Sequence, residues 1–188
     1  MISMSSAKKL CISAVCVALC CVLPMLFHSV GLGTALSPLH IPALLCGSVC
    51  GGLLGLLCGL LGPILSCLIT GMPGAAMLPT MIPELMAYGL VSGLMMRYVR
   101  TGRAYADLYI SLGTAMVAGR IVGGIAKVLF YMGSGKTFTF ALWISSYFAA
   151  TVPGMICHLI LIPVLVAALT RARLIPTRYP VKETAVHE

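Results

Sequence analysis

The longest apolar run of the chain, Ile41–Leu68, contains no charged side chain and would form a single α-helix of about 42 Å. Only 9% of the 188 residues are charged and 60% are hydrophobic, whereas about 25% of the residues of a soluble domain are charged. Too few polar side chains remain to cover a water-exposed surface, and the apolar runs are too continuous for the alternating strands of a membrane barrel. The sequence therefore predicts an all-α integral membrane protein.

The basic residues decide how often the chain crosses the membrane. If Ile41–Leu68 is one helix, the chain crosses five times and Arg97 lies on the opposite side from Lys8 and Lys9, against the excess of Lys and Arg in short cytoplasmic loops. A break at Gly51-Gly52 removes this conflict. It gives six transmembrane helices, of which the second is short and lies in a tight glycine hairpin.

The break also fixes the predicted topology, with both termini in the cytoplasm. Nine basic residues then lie on the cytoplasmic side and one, Lys136, on the outer side. We predict a single six-helix membrane domain over residues 1–172, followed by a basic, polar cytoplasmic tail over residues 173–188. The predicted spans are 10–27, the two halves of 41–68, 80–96, 108–131 and 140–169.

Small residues inside the apolar runs are interpreted as packing residues. Gly47, Gly51, Gly55 and Gly59 are four residues apart and would let helix backbones approach closely. The nine cysteines all lie in apolar stretches, with no CxxC pair and no His or acidic residue at the spacing of metal ligands. We therefore expect no metal site and no cofactor.

Ionisable side chains inside the spans are the candidates for ligand chemistry, because they are costly in lipid. Glu84 and Lys127 are each about 6 to 8 Å below the predicted outer surface, where they either bind a ligand or form a structural ion pair. Arg120 and Tyr131 share a helical face with Lys127. His40 begins the second helix and is expected to share this outward-facing pocket.

Aromatic residues of the sixth span allow two interpretations. Trp143 and Tyr147 form either an interfacial belt or a stacking wall for a planar ligand in the same pocket as Glu84. His158 lies on the same helical face and is interpreted as an interior histidine.

The sequence does not indicate an enzyme or a nucleic-acid-binding protein. No metalloprotease or hydrolase motif is present, and Gly133–Thr137 only resembles the end of a phosphate-binding loop, because Phe130 occupies the position of its first glycine. The net charge of +8 is explained by membrane topology, since the basic residues cluster between the apolar runs.

Several local sequences resemble a known family. They are Ser37-Pro-Leu-His-Ile-Pro42, the Gly51-Gly52 hairpin, Gly71-Met-Pro73, and Ala14 and Ala18 in the first helix. In this order and over about residues 7–172, the chain resembles the substrate-binding S components of energy-coupling factor (ECF) vitamin transporters. The resemblance implies a multi-pass protein of a prokaryotic plasma membrane that captures a water-soluble vitamin or precursor from outside.

The resemblance also implies partners and a docking face. An S component associates with a transmembrane coupling subunit and two cytoplasmic ATPases, and the small-residue face of its first helix, here Ala14 and Ala18, docks onto the coupling subunit. Close helix packing in lipid is consistent with such small residues.

The substrate and the transport mode stay open at this point. The candidate pocket has two positive side chains, Arg120 and Lys127, against one negative side chain, Glu84, and this balance favours a carboxylate-bearing ligand such as pantothenate. Trp143 and Glu84 would instead suit a pyridoxine or a thiamine precursor. The alternative to an S component is a stand-alone secondary transporter of a small polar metabolite. Such a transporter uses intramembrane acidic residues, of which the sequence offers only Glu84.

Overall fold

The structure is a computed structural model that describes residues 4–29, 38–133, 152–176 and 178–179. Within these residues the chain forms six α-helices and no strand. The helices are α1 (Ser6–Ser29), α2 (His40–Cys50), α3 (Gly52–Thr70), α4 (Leu78–Tyr98), α5 (Ala104–Gly133) and α6 (Val152–Arg171), with a short 3-10 helix at Ala75–Met77.

Helices α1, α3, α5 and α6 are long and apolar enough to cross a membrane, and α2 is a shorter apolar helix. The predicted class, a multi-pass helical membrane protein with six helices, is confirmed. The first twelve residues of the predicted sixth span, 140–151, lie outside the described residues.

The predicted break in the longest apolar run is also confirmed. Gly51 separates α2 from α3 and has a φ of 106°, a backbone conformation that favours glycine. Its N–H still donates to the carbonyl of Gly47 at 3.0 Å, and Gly55 N–H donates to the carbonyl of Gly51 at 3.0 Å. Helix α2 has 11 residues and a length of about 16 Å, so it is too short to cross a hydrocarbon core of about 30 Å.

Glycines bring α2, α3 and α4 into backbone contact. A Cβ atom on Gly55 would overlap the carbonyl oxygen of Gly89, and one on Gly47 would overlap both Gly89 and Ser92. Because any larger side chain would push the helices apart, the predicted packing role of Gly47 and Gly55 is confirmed.

The basic residues share one end of the helix bundle, which we call the basic end. Lys8 Nζ lies 3.4 Å from the carbonyl oxygen of Arg173, so the start of α1 meets the end of α6. Cys50 Sγ contacts the carbonyl of Lys9 at 3.5 Å, which places the α2–α3 hairpin at the same end. Among the described residues, those at this end are Lys8, Lys9, Arg97, Arg100, Arg103, Arg171, Arg173 and Arg178.

After α6 the chain turns back onto the α4–α5 loop, through contacts that we call the Asp107 clamp. Arg178 Nε and the Tyr179 hydroxyl each lie 2.7 Å from Asp107 Oδ2. The backbone N–H and the hydroxyl of Thr101 donate to Asp107 Oδ1 at 2.7 and 2.6 Å. Asp107 is fully buried, and the first residues of the predicted tail are therefore packed against the membrane domain.

Candidate ligand-binding site

Glu84 lies at the centre of a buried polar cluster formed by α2, α4, α5 and α6. Its Oε1 atom is 3.6 Å from Arg120 NH1 and 3.5 Å from His40 Nε2, and it accepts a hydrogen bond of 3.1 Å from the Tyr88 hydroxyl. His158 joins through His40. We call His40, Glu84, Tyr88, Arg120 and His158 the Glu84 cluster.

All members of the Glu84 cluster are buried. Glu84 is 6% exposed and Arg120 is 5% exposed. Charges of this kind are expensive to remove from water, and inside a membrane protein they persist when they are paired and serve a function. The cluster is therefore the strongest candidate for ligand binding among the described residues.

Two glycines of α5 make room for the cluster. A Cβ atom on Gly123 would lie 2.7 Å from Glu84 Oε2, and one on Gly119 would lie 2.6 Å from the ring of Tyr88. Glu84 and Tyr88 are four residues apart on α4, and Gly119 and Gly123 are four residues apart on α5, so two matching helical faces meet. Arg120, next to Gly119, is thereby held beside the carboxylate.

The two histidines form the wall of the cluster on the α2 and α6 side. The rings of His40 and His158 are stacked with centroids 5.8 Å apart, and the ring of Tyr88 meets His40 edge-on at 4.9 Å. His40 is also the first residue of α2. The positive end of the helix dipole therefore lies near the Glu84 carboxylate and favours its negative charge.

The cluster lies in the half of the bundle away from the basic end. Glu84 follows the start of α4 by six residues and His158 follows the start of α6 by six residues, so each is about 9 Å from the end of its helix. The short helix α2 ends near Lys9 and begins at this depth with His40.

The structure brings together three of the predicted site residues, His40, Glu84 and Arg120. Lys127 lies on α5, one turn beyond Gly123, and is half-buried. Tyr131 follows one turn later, with its ring edge-on to Phe130 at 6.3 Å. The remaining predicted site residues, Trp143 and Tyr147, lie outside the described residues.

Sequence reasoning missed Tyr88 and underestimated His158. Tyr88 is one helical turn from Glu84, and this spacing was the available signal for it. His158 is an interior histidine as predicted, 2% exposed, but it is stacked on a site residue. Nothing in the sequence separation of residues 40 and 158 indicates that their rings meet.

Helix α1 presents small residues outward. Ala14 and Ala18 are exposed on the face of α1 that points away from the bundle. Ser13, Cys16 and Cys20 are buried on the opposite face. The outward face is thus a surface on which a second helix could pack closely.

The chemistry of the cluster suits binding of a small polar molecule. A guanidinium group such as that of Arg120 pairs with a carboxylate or phosphate through two parallel hydrogen bonds. A carboxylate such as that of Glu84 accepts hydrogen bonds from ring N–H or hydroxyl groups. The stacked imidazoles add a flat surface beside these two groups.

Comparisons with known proteins identify a family. The sequence model of the family described as "ECF transporter, substrate-specific component" matches residues 8–172. Comparisons with curated proteins and with solved structures gave no match.

Proposed function

The chain belongs to the family of ECF transporter substrate-specific components, and on this premise we propose that it captures a vitamin or vitamin precursor at the Glu84 cluster. The family makes it a transporter component rather than an enzyme, and it implies association with an ECF module of coupling and ATPase subunits. ATP hydrolysis by those partners would supply the energy for import.

The observation that carries this proposal is the geometry around Glu84. Its ion pairs with Arg120 and His40 are 3.6 and 3.5 Å long, longer than a charge-assisted hydrogen bond of about 2.7 to 2.9 Å. A ligand group of suitable charge can replace one partner without leaving a buried charge unpaired.

The charges favour a ligand with a carboxylate, such as a pantothenate-like compound. Arg120 and Lys127 together carry two positive charges against one negative charge on Glu84, so an added carboxylate would neutralise the site. A pyridoxine-like ring or a pyrimidine precursor of thiamine is the second substrate class. It would use Glu84 as the acceptor and the stacked histidines as a flat contact.

The ligand is proposed to enter from outside the cell. If the basic end faces the cytoplasm, as the excess of Lys and Arg in cytoplasmic loops predicts, the Glu84 cluster lies in the outer half of the membrane. Residues 1–172 then form the membrane domain and both termini are cytoplasmic. Lys127, Tyr131, Trp143 and Tyr147 are proposed to line the outer part of the same pocket.

A binding screen tests the ligand assignment. The purified protein is heated with each member of a panel of vitamins and precursors, because a ligand at 100 times its Kd stabilises the folded state by about 2.7 kcal/mol. We expect a rise in Tm with one chemical class. The Arg120→Gln variant should lose this shift for a carboxylate ligand, whereas Arg171→Gln, at the basic end, should keep it.

The same screen can contradict the proposal. If no member of the panel changes the Tm of the folded protein, the vitamin assignment is wrong. If the chain alone drives uptake into liposomes from a proton or sodium gradient, the secondary-transporter alternative replaces the ATP-dependent mode.

The outward face of α1 is proposed to dock onto the coupling subunit. Replacing Ala14 and Ala18 with leucine would separate the two helix backbones, so we expect co-purification with the coupling subunit to be lost while ligand binding is kept. Val15→Leu is the matched control, because Val15 is 59% exposed on α1 and lies about 100° from Ala14 and about 60° from Ala18 around the helix. Equal co-purification of all variants would refute the docking face.

A further inference from the structure

A surface of arginines and tyrosines surrounds the α4–α5 loop at the basic end. Arg97 and Tyr98 end α4, Arg103 lies in the loop, and Tyr105 and Tyr109 begin α5. All five side chains are exposed, with Tyr98 at 70% and Tyr105 at 59%. We call these five residues the Arg-Tyr surface.

The loop that carries this surface is fixed in place by the Asp107 clamp. Thr101 is hydrogen-bonded to Asp107 through both its backbone N–H and its hydroxyl. Arg178 reaches across to the carbonyl of Val99 and to Met96 Sδ, on either side of Arg97 and Tyr98. The backbone beneath the Arg-Tyr surface is therefore preorganised, which lowers the entropic cost of binding.

The clamp also leaves the surface positive. Asp107 is the only acidic residue between positions 97 and 109, and its carboxylate is buried and paired with Arg178 at 2.7 Å. It cannot neutralise Arg97 or Arg103, which point outward from the same segment.

We propose that the Arg-Tyr surface binds the phosphate headgroup of an acidic glycerophospholipid. Exposed tyrosines at the ends of membrane helices lie at the depth of the lipid headgroups. Arginine binds phosphate through two hydrogen bonds, and basic residues near a membrane are attracted to anionic lipids. Three tyrosines and two arginines around one preorganised loop combine both preferences at the depth where the phosphates are.

This inference is independent of the vitamin and of which side of the membrane the basic end faces. It requires only the membrane fold and the contacts of the clamp. A protein partner is less well matched, because the tyrosines flank the arginines at the ends of α4 and α5 and would meet lipid first.

The experiment measures lipid retention. The purified protein is mixed with detergent micelles that contain phosphatidylcholine or phosphatidylglycerol, and bound lipids are counted by native mass spectrometry. We expect the Arg97→Gln, Arg103→Gln double variant to lose about 20-fold in affinity for phosphatidylglycerol, because each arginine would lose a two-bond contact to phosphate, which is stronger than diffuse attraction to an anionic surface.

The matched control removes two charges at the same end but outside the surface. Lys8 and Arg173 are both exposed at the junction of α1 and α6. The Lys8→Gln, Arg173→Gln variant should lose less than threefold. An equal loss in both double variants would mean diffuse attraction by the whole basic end and would overturn the proposal.

A second variant keeps the charge and changes only the hydrogen-bond geometry. Arg97→Lys with Arg103→Lys should weaken phosphatidylglycerol binding about fivefold, because lysine acts as a point charge and cannot form the two-bond contact. Unchanged lipid binding in this variant overturns the proposal. Lost association with a coupling subunit at unchanged lipid binding would assign the surface to a protein partner instead.

Discussion

The two carboxylates buried among the described residues have similar partners and different contact geometry. Asp107 and Glu84 each meet an arginine and a tyrosine. The contacts of Asp107 are 2.6 to 2.7 Å long and involve both oxygens. Those to Glu84 Oε1 are 3.1 to 3.6 Å long.

The difference in contact geometry distinguishes Asp107, which we call the anchor, from Glu84 in the candidate ligand-binding site. A carboxylate with short hydrogen bonds on both oxygens has no capacity for a further ligand, and its role is to hold the α4–α5 loop and the chain after α6 together. A carboxylate with longer contacts can exchange partners. The comparison assigns a structural role to Asp107 and is consistent with the binding role that we propose for Glu84.

The largest expected effect is on stability. Asp107→Asn leaves Arg178 without its charged partner, so we expect the free energy of unfolding to fall by about 3 kcal/mol. Glu84→Gln also leaves a buried arginine, Arg120, without its carboxylate, so we expect a similar loss of about 3 kcal/mol. Denaturant unfolding in detergent micelles measures both values. A carboxylate ligand should recover the stability of Glu84→Gln and not that of Asp107→Asn, and equal recovery in both variants would refute the distinction between anchor and site.

The next effect concerns ligand affinity. If the ligand carries a carboxylate, it competes with Glu84 for Arg120, so Glu84→Gln should tighten binding by about tenfold, equivalent to about 1.4 kcal/mol. Isothermal titration calorimetry measures the change in Kd. Weaker binding would show that Glu84 contacts the ligand itself and would favour the ring-type substrate class. Asp107→Asn is the comparison variant and should leave Kd unchanged in the folded fraction.

A smaller effect is expected from the glycine that faces Glu84. Gly123→Ala places a methyl group 2.7 Å from Glu84 Oε2 and should lower the free energy of unfolding by about 1 kcal/mol. The same substitution should weaken ligand binding. Gly113→Ala on the same helix is the control, because nothing lies within 4 Å of its added methyl group. Thermal unfolding should show no loss for Gly113→Ala. A similar loss at both positions would mean a general effect of alanine in α5.

The smallest effect compares the two tyrosine hydroxyls. Tyr179→Phe removes a hydrogen bond of 2.7 Å and Tyr88→Phe one of 3.1 Å, so we expect losses of about 1 and about 0.5 kcal/mol of stability. Only Tyr88→Phe should also change ligand affinity. A change in Kd for Tyr179→Phe would mean that contacts at Asp107 affect ligand binding at the Glu84 cluster.

Most of the fold was predictable because lipid imposes simple rules. Continuous apolar runs must be helices in a membrane, and the distribution of basic residues required the break that the structure has at Gly51. The ends of the helices were less predictable. The loop predicted over 97–107 is shorter, because α4 continues to Tyr98 and α5 begins at Ala104. Hydropathy marks the part of a helix that lies in lipid, and a helix can extend beyond it into the headgroup region.

The candidate site was predictable only in part. Glu84 and Arg120 were identifiable because charges are rare in apolar spans. The pairing of Glu84 with Arg120 and His40 was not identifiable, because it depends on which helical faces meet. Those faces are set by Gly119 and Gly123, whose missing side chains admit Tyr88 and Glu84.

The sequence by itself determined the class of protein, the number of helices and the common end of the basic residues, because each depends on the solvation of short segments in lipid or water. Only the tertiary structure decided the Asp107 clamp and the stacking of His40 on His158. These contacts join residues far apart in the chain. Their geometry depends on how closely the helices pack, and no local pattern of residues encodes that distance.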